Sequence, residues 1–190
     1  PRLQVPTGSP WHRAVTGHGW TRDTEHPAGD RVLVMVGPLA QLASPPELSE
    51  VTLSVAAEPD QEWWRVAGNA PVTEGQRHVL GGVGLDDTGF GLASIGGQPV
   101  GAVRAVVLEE HLCLARLTVL PQYRRRGLAS ALLDEAARWA VVRGARWCVL
   151  QIAEQNHAAI GLYRRLGLRP HHEYEYLRPG DEPAAIPSGP

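Results

Sequence analysis

The chain has 190 residues, 43% of them hydrophobic, which suits one domain, or one domain with an extension, around a sizeable core. Its formal net charge of -2 excludes the global basic field on which non-specific nucleic-acid binding relies. No apolar run approaches the roughly 20 residues needed to cross a bilayer, and the start, PRLQVPTGSPWHR, lacks the basic-then-apolar layout of a secretory signal, so a cytoplasmic protein with no membrane partner is expected.

Residues 1–30 are rich in Pro, Gly, His and Thr without periodicity and read as an irregular extension anchored by Trp11 and Trp20. Arg31–Val36 and Val51–Ala56 read as short strands separated by a Pro-containing loop. Pro59–Ala67 reads as a helix, since Pro and Asp suit its start and Trp63 and Trp64 are its large apolar residues. Phe90–Ile95, the turn Gly96-Gly97-Gln98-Pro99 and Val100–Leu108 form a predicted β-hairpin. A third antiparallel strand, Leu112–Leu120, stops at Pro121, which cannot donate to a ladder.

Between Leu128 and Val142, apolar residues at 128, 132, 136 and 140 run beside a second row at 129, 133, 137 and 141 and make one broad helical face. Asp134 and Glu135 lie opposite, in ion-pair spacing with Arg138. Trp147–Ala153 is a short continuous apolar run, as a central covered strand requires. A second helix, His157–Leu166, closes at Gly167, and Tyr174–Leu177 alternates like an edge strand. The Pro-rich tail is expected to be disordered. Cys113 and Cys148 fall in apolar runs and read as reduced thiols, not as a disulfide or a metal pair.

One junction conflicts with helix electrostatics. QYRRRGLAS, Gln122–Ser130, puts three consecutive arginines at a helix start, where the partial positive charge favours Asp, Glu, Ser or Thr. Each misplaced charge costs about 0.3–1 kcal/mol when exposed. A bound phosphate reverses the sign, because the free N–H groups at the helix start bind it, Gly127 admits the backbone closely and the arginines add charge-assisted contacts. A solvated surface run whose side chains splay away from the axis is the competing reading.

Arg124-x-x-Gly127-x-Ala129 resembles the Q/R-x-x-G-x-G/A signature of the GNAT superfamily of N-acetyltransferases, and Gln155–Leu168 resembles that family's second conserved region. There Asn156, Ala159, Leu162, Tyr163, Leu166 and Gly167 match, with Leu168 in place of the usual Phe. The resemblance implies an α+β GNAT fold. Its mixed central sheet would have antiparallel N-terminal strands, splayed parallel strands at an acetyl-CoA site and flanking helices. The implied boundaries are an N-terminal extension over 1–47, as in an actinobacterial-type branch, the acetyltransferase domain over 48–178 and the tail over 179–190.

By the same resemblance, backbone groups of Leu117, Thr118 and Val119 would pair with the pantetheine arm. Arg124, Arg125, Arg126, Gly127, Leu128, Ala129 and Ser130 would hold the pyrophosphate, and Asn156 would orient the thioester end. An acetyl group would pass by direct attack of a primary amine, with an oxyanion donor on the splayed strand and Tyr163 protonating the departing thiolate. From its own spacing Tyr163 also reads as a core aromatic.

The family's carboxylate base has no counterpart, since Arg116 stands in that place. Glu109, Glu110, His111 and Glu154 are candidates that also read as a polar turn and a strand end, and a water chain is a further possibility. His171 and His172 read as a polar strand end and no metal is expected. Trp63 and Trp64 read as core or rim packing, or as an acceptor wall. The alternatives to an acetyltransferase are a non-catalytic acyl-CoA-binding or sensing domain and an anion or RNA-backbone binder. The net charge and the lack of stacking aromatics near the run oppose the latter.

Overall fold

The computed structural model describes residues 1–27, 29–42, 48–68, 72–81 and 87–180. Val51–Ala56 (β4), Thr88–Ile95 (β5), Gln98–Leu108 (β6) and His111–Val119 (β7) form an antiparallel meander. The β5–β6 turn uses Gly96 (φ 55°) and Gly97 (φ 78°), and two successive positive φ values match the twist of a two-residue hairpin. Leu128–Val141 (α4) packs its apolar rows on one face of these strands, with Leu132, Ala136 and Ala140 fully buried. Close approach depends on missing side chains. A Cβ at Gly89 would lie 2.8 Å from the Trp139 ring, and one at Gly101 would lie 2.9 Å from Leu132 Cδ1.

The opposite face of β5 and β6 is covered by Gln61–Ala67 (α2), with Glu74–Leu80 (α3) following it in the chain. The Asp60 side chain caps α2 by accepting the Trp63 N–H at 2.7 Å. Trp63 is a core residue at 1% exposure, its indole N–H donating to the Val103 carbonyl at 3.1 Å and its ring edge-on to Phe90. Trp64 is partly exposed beneath the Arg77 guanidinium.

After α4, Trp147–Ala153 (β8) runs parallel to β7, and His157–Arg165 (α5) returns over the face that α4 covers. Arg169–Pro179 (β9) then lies two positions away from β8. The position between β8 and β9 is filled by Arg31–Pro38 (β3), antiparallel to both. Leu3–Pro6 (β1) and Trp20–Arg22 (β2) pair with the far side of β9, and Pro10–Gly17 (α1) links them. The sheet order is β1-β9-β3-β8-β7-β6-β5-β4, with β2 also on β9.

One expectation needs correction, and residues 1–30, read as irregular, carry β1, α1 and β2. Tyr174–Leu177 belongs to an eleven-residue strand paired on both sides, not to an edge; its alternation reflects two differently covered faces. The described part of the stretch set apart as an extension, 1–47, is woven into the sheet. Met35 on β3 has no exposed surface and joins the main core with Leu112, Leu132 and Leu150. Buried Glu175 on β9 fixes this end by accepting from Arg31 Nη2 at 3.1 Å and lying 3.0 Å from His12 Nε2 on α1; Arg31 also reaches Glu154 at 3.4 Å. A buried carboxylate needs such partners. From residue 181 the tail lies outside the described residues.

Candidate active site

Parallel pairing of β7 with β8 covers only His111↔Trp147 to Leu114↔Leu150. Beyond it the strands part. A β-bulge drives the separation on the β7 side: Arg104 faces Ala115 and Ala102 faces Thr118, so β7 holds one extra residue there, and Arg116 takes a left-handed φ of 55°. Ala115 and Arg116 are exposed, Leu117 and Thr118 half-buried, and the Thr118 hydroxyl donates to the Arg116 carbonyl at 3.3 Å across the bulge. Leu117, Thr118 and Val119 therefore line an opening where their backbone edge has no β8 partner, and Gln151, Ile152 and Ala153 border its other side.

The arginine–glycine junction closes one end. Pro121 starts a single 3₁₀ turn, and then Arg124 (φ -65°), Arg125 (φ 61°) and Gly127 (φ 83°) lead into α4. Alternating signs of φ turn successive N–H groups toward one side, the geometry of an anion-binding concavity. The first intrahelical bond runs from Ala131 N–H to the Gly127 carbonyl, so Leu128, Ala129 and Ser130 present N–H groups with no helical acceptor. No side chain caps the helix and no acidic residue occupies its first turn. Arg124 is tied to the Val119 carbonyl through Nε at 3.0 Å, and Arg126 lies over the Tyr123 ring at 5.8 Å. All three arginines are exposed, and none pairs with a carboxylate among the described residues. The donors and the uncompensated charge fit a pyrophosphate.

Tyr163 on α5 is 7% exposed among core residues of β8 and β3, and its hydroxyl makes no hydrogen bond among the described residues. Burial, reinforced by neighbouring Cys148, pushes its pKa up to about 12. The Cys148 thiol is likewise pushed up to about 12, by burial first and Cys113 second. Both cysteines are free. Asn156 stands at the start of α5 just beyond the opening, where its side-chain oxygen accepts the Ala159 N–H at 3.2 Å; capping occupies the group that the family resemblance would assign to the thioester end.

The base candidates divide by position. Glu109 and Glu110 form the β6–β7 turn and His111 begins β7, at the opposite end of the strand from the bulge. Glu154 follows β8 at the correct end but is engaged by Arg31. No carboxylate takes the place of Arg116. His171 and His172 share a 2.8 Å Nδ1···Nδ1 contact on the exposed start of β9, and no metal-ligand cluster occurs among the described residues.

Side chains on the face away from α4 and α5 escaped the sequence reading. Arg104, Ala115 and Gln151 share this face around the mouth of the opening. Arg104 carried a legible signal, a lone charge inside the apolar run GAVRAVVL. Gln151 Oε1 accepts from the Tyr174 hydroxyl at 2.8 Å, Tyr174 and Tyr176 hydroxyls lie 3.5 Å apart, and His26 stacks on Tyr176 with centroids at 3.6 Å. No local pattern announces these partners because they come from three separate segments.

A mixed sheet whose parallel strands part beside an unpaired helix start defines an α+β fold of the N-acetyltransferase type. The sequence profile of the acetyltransferase (GNAT) family matches residues 51–168, more than half of the chain, and the chain belongs to that family. An uncharacterized N-acetyltransferase of Methanocaldococcus jannaschii is 33% identical over 89 residues, 43% of this chain and 39% of the relative. A GCN5-related N-acetyltransferase from Kribbella flavida superposes with a TM-score of 0.67 at 22% identity, covering 93% of this chain and 66% of that one. One from Sphaerobacter thermophilus gives 0.67 at 23%, covering 97% and 62%. A tandem GNAT protein from the clavulanic acid biosynthesis pathway gives 0.72 at 14%, covering 93% and 63%. The chain thus spans less than half of the curated relative and about two thirds of these structures.

Proposed function

We propose that this protein is an acetyl-CoA-dependent N-acetyltransferase that passes an acetyl group to a primary amine of a small molecule or peptide by direct attack. The observation that carries this reading is the parting of β7 and β8 after Leu114 and Leu150 beside the unpaired amides of Leu128, Ala129 and Ser130. Acetyl-CoA supplies an activated acetyl thioester. Arg124, Arg125, Arg126 and the N–H groups from Gly127 to Ser130 hold its pyrophosphate, while Leu117, Thr118 and Val119 offer backbone groups to its pantetheine arm and to the developing oxyanion.

Tyr163 donates a proton to the departing sulfur. A free thiol titrates near 8.5, so transfer from a hydroxyl of pKa about 12 would be uphill by roughly 5 kcal/mol in water. Burial narrows the mismatch, because it raises a thiol in the same direction, as it does for buried Cys148. Burial disfavours thiolate and tyrosinate alike. Exposed Ala115 and Arg116 leave the mouth open to water, which takes the amine's proton without a dedicated carboxylate. The two free cysteines suit a reducing compartment, and we place the protein in the cytoplasm.

Release of CoA in the presence of a panel of primary amines tests the reading. Turnover with at least one amine, together with acetyl-CoA-induced thermal stabilisation that Gly127→Glu abolishes, is expected. Stabilisation without turnover would point to an acyl-CoA-binding domain; neither would leave an anion site unrelated to CoA.

A further inference from the structure

The face of the opening away from α4 and α5 carries a cation that has no counter-charge among the described residues. Arg104 on β6 is half-buried, and its Nε donates to the Leu80 carbonyl at the end of α3 at 2.8 Å. That bond fixes the guanidinium and leaves its two terminal nitrogens without an acceptor among the described residues. No carboxylate pairs with it among the described residues, and burial lowers its pKa with only a small opposing effect from Cys113. A desolvated guanidinium tethered by one edge is costly as a structural element alone and well prepared as an oxyanion receptor.

Its position relates it to the reaction. Arg104 is the register partner of Ala115, the exposed small residue at which β7 leaves β8. Gln151 stands on the same face one residue beyond the last β7–β8 pair, so the two residues flank Ala115 from backbones at least about 10 Å apart. Gln151 is oriented: its oxygen is held by the Tyr174 hydroxyl, which leaves its amide N–H groups as donors with no acceptor among the described residues. A cation and a neutral donor thus share the sheet face that α4 and α5 leave uncovered, one on each side of Ala115.

We infer that Arg104 and Gln151 form an acceptor subsite for an oxyanion, so that the amine acetylated here belongs to a molecule that also carries a carboxylate. This rests on the acetyltransferase reading above. Arg104 binds the carboxylate, Gln151 donates to it or to a neighbouring carbonyl, and Tyr174 is a positioning residue that acts through Gln151.

The test compares ω-amino acids with alkylamines of equal length as acceptors, in the wild type, Arg104→Gln and Arg104→Lys. The expected result is a preference in kcat/KM of about tenfold or more for the carboxylate-bearing member. It should be lost in Arg104→Gln and largely kept in Arg104→Lys, with KM for acetyl-CoA unchanged. A wild type without preference, or a preference that survives in Arg104→Gln, overturns the inference. A second readout needs no turnover. Cys113 lies on the same face two residues before Ala115, whereas Cys148 is buried, so Cys113 is the thiol that haloacetyl reagents reach. The ratio of its alkylation rates by iodoacetate and iodoacetamide should fall by about threefold or more on Arg104→Gln and not on Arg104→Lys. If no amine is acetylated, the catalytic reading has failed and this ratio alone decides: a fall supports an oxyanion subsite, and an unchanged ratio removes it.

Discussion

Leu114 and Leu150 are the last residues to face each other across the parallel strands β7 and β8; one residue further on, Ala115 and Gln151 are both exposed. Central parallel strands are normally paired along their length and covered on both faces. Here the ladder is opened by a single extra residue at Arg116, beside a helix start whose amides have no acceptor among the described residues.

On the proposal that its hydroxyl protonates the departing sulfur, Tyr163→Phe should lower kcat by roughly a hundredfold or more while KM for acetyl-CoA changes little, since the ring packs unchanged. Stability should stay within about 1 kcal/mol of wild type, because no hydrogen bond is lost. Steady-state kinetics with an amine found by the panel decides this, and an unchanged kcat removes Tyr163 from the chemistry.

Alkaline pH should destabilise the fold through the same two buried groups. Tyr163 rises from 10.0 to about 12 and Cys148 from 9.0 to about 12, both principally by burial. Each folded-state pKa lies above its unfolded value, so the neutral groups contribute their full stability below about pH 9. That stability is lost as pH climbs toward 12, at about 1.4 kcal/mol per unit of difference. Urea denaturation from pH 8 to 11 should show the decline, and Cys148→Ala should delay its onset. A flat profile in the wild type would count against this assignment.

Met35→Ala should cost about 2–5 kcal/mol, as much as Leu112→Ala, because β3 is an interior strand and not part of a peripheral extension. A loss below 0.5 kcal/mol would mean that the sheet holds together without β3.

Gly89→Ala should lower stability by about 1–3 kcal/mol and leave acetyl-CoA affinity alone. The new methyl would meet the rigid Trp139 ring on α4 and Val55 Cγ1 at under 3 Å, at the other end of α4 from the proposed ligand-binding helix start. Thermal melts with and without acetyl-CoA separate the two effects.

The strong local signals translated well into structure. Val51–Ala56 and Trp147–Ala153 have the bounds expected from apolar patterning, and the Gly96-Gly97 turn, the broad apolar face of α4 and the Asp60 start of α2 lie where turn and cap chemistry put them. Non-local information was hidden. β3 was legible as a strand, but its place between β8 and β9 depends on pairing with residues more than a hundred positions away. β1, β2, α1 and α3 are short and held by partners such as Glu175 with His12, which no period in the chain announces. At the site, the arginine–glycine junction and Tyr163 stood out in sequence, whereas Gln151, Tyr174, Tyr176 and His26 meet only through folding.

The most direct test is amide hydrogen exchange at Gly127–Ala131 with and without saturating acetyl-CoA. If the arginine–glycine junction is a pyrophosphate cradle, the N–H groups of Leu128, Ala129 and Ser130, open in the free protein, should exchange at least about tenfold more slowly when the ligand is bound. Equal exchange in both states would contradict the account and leave the three arginines as a solvated surface run.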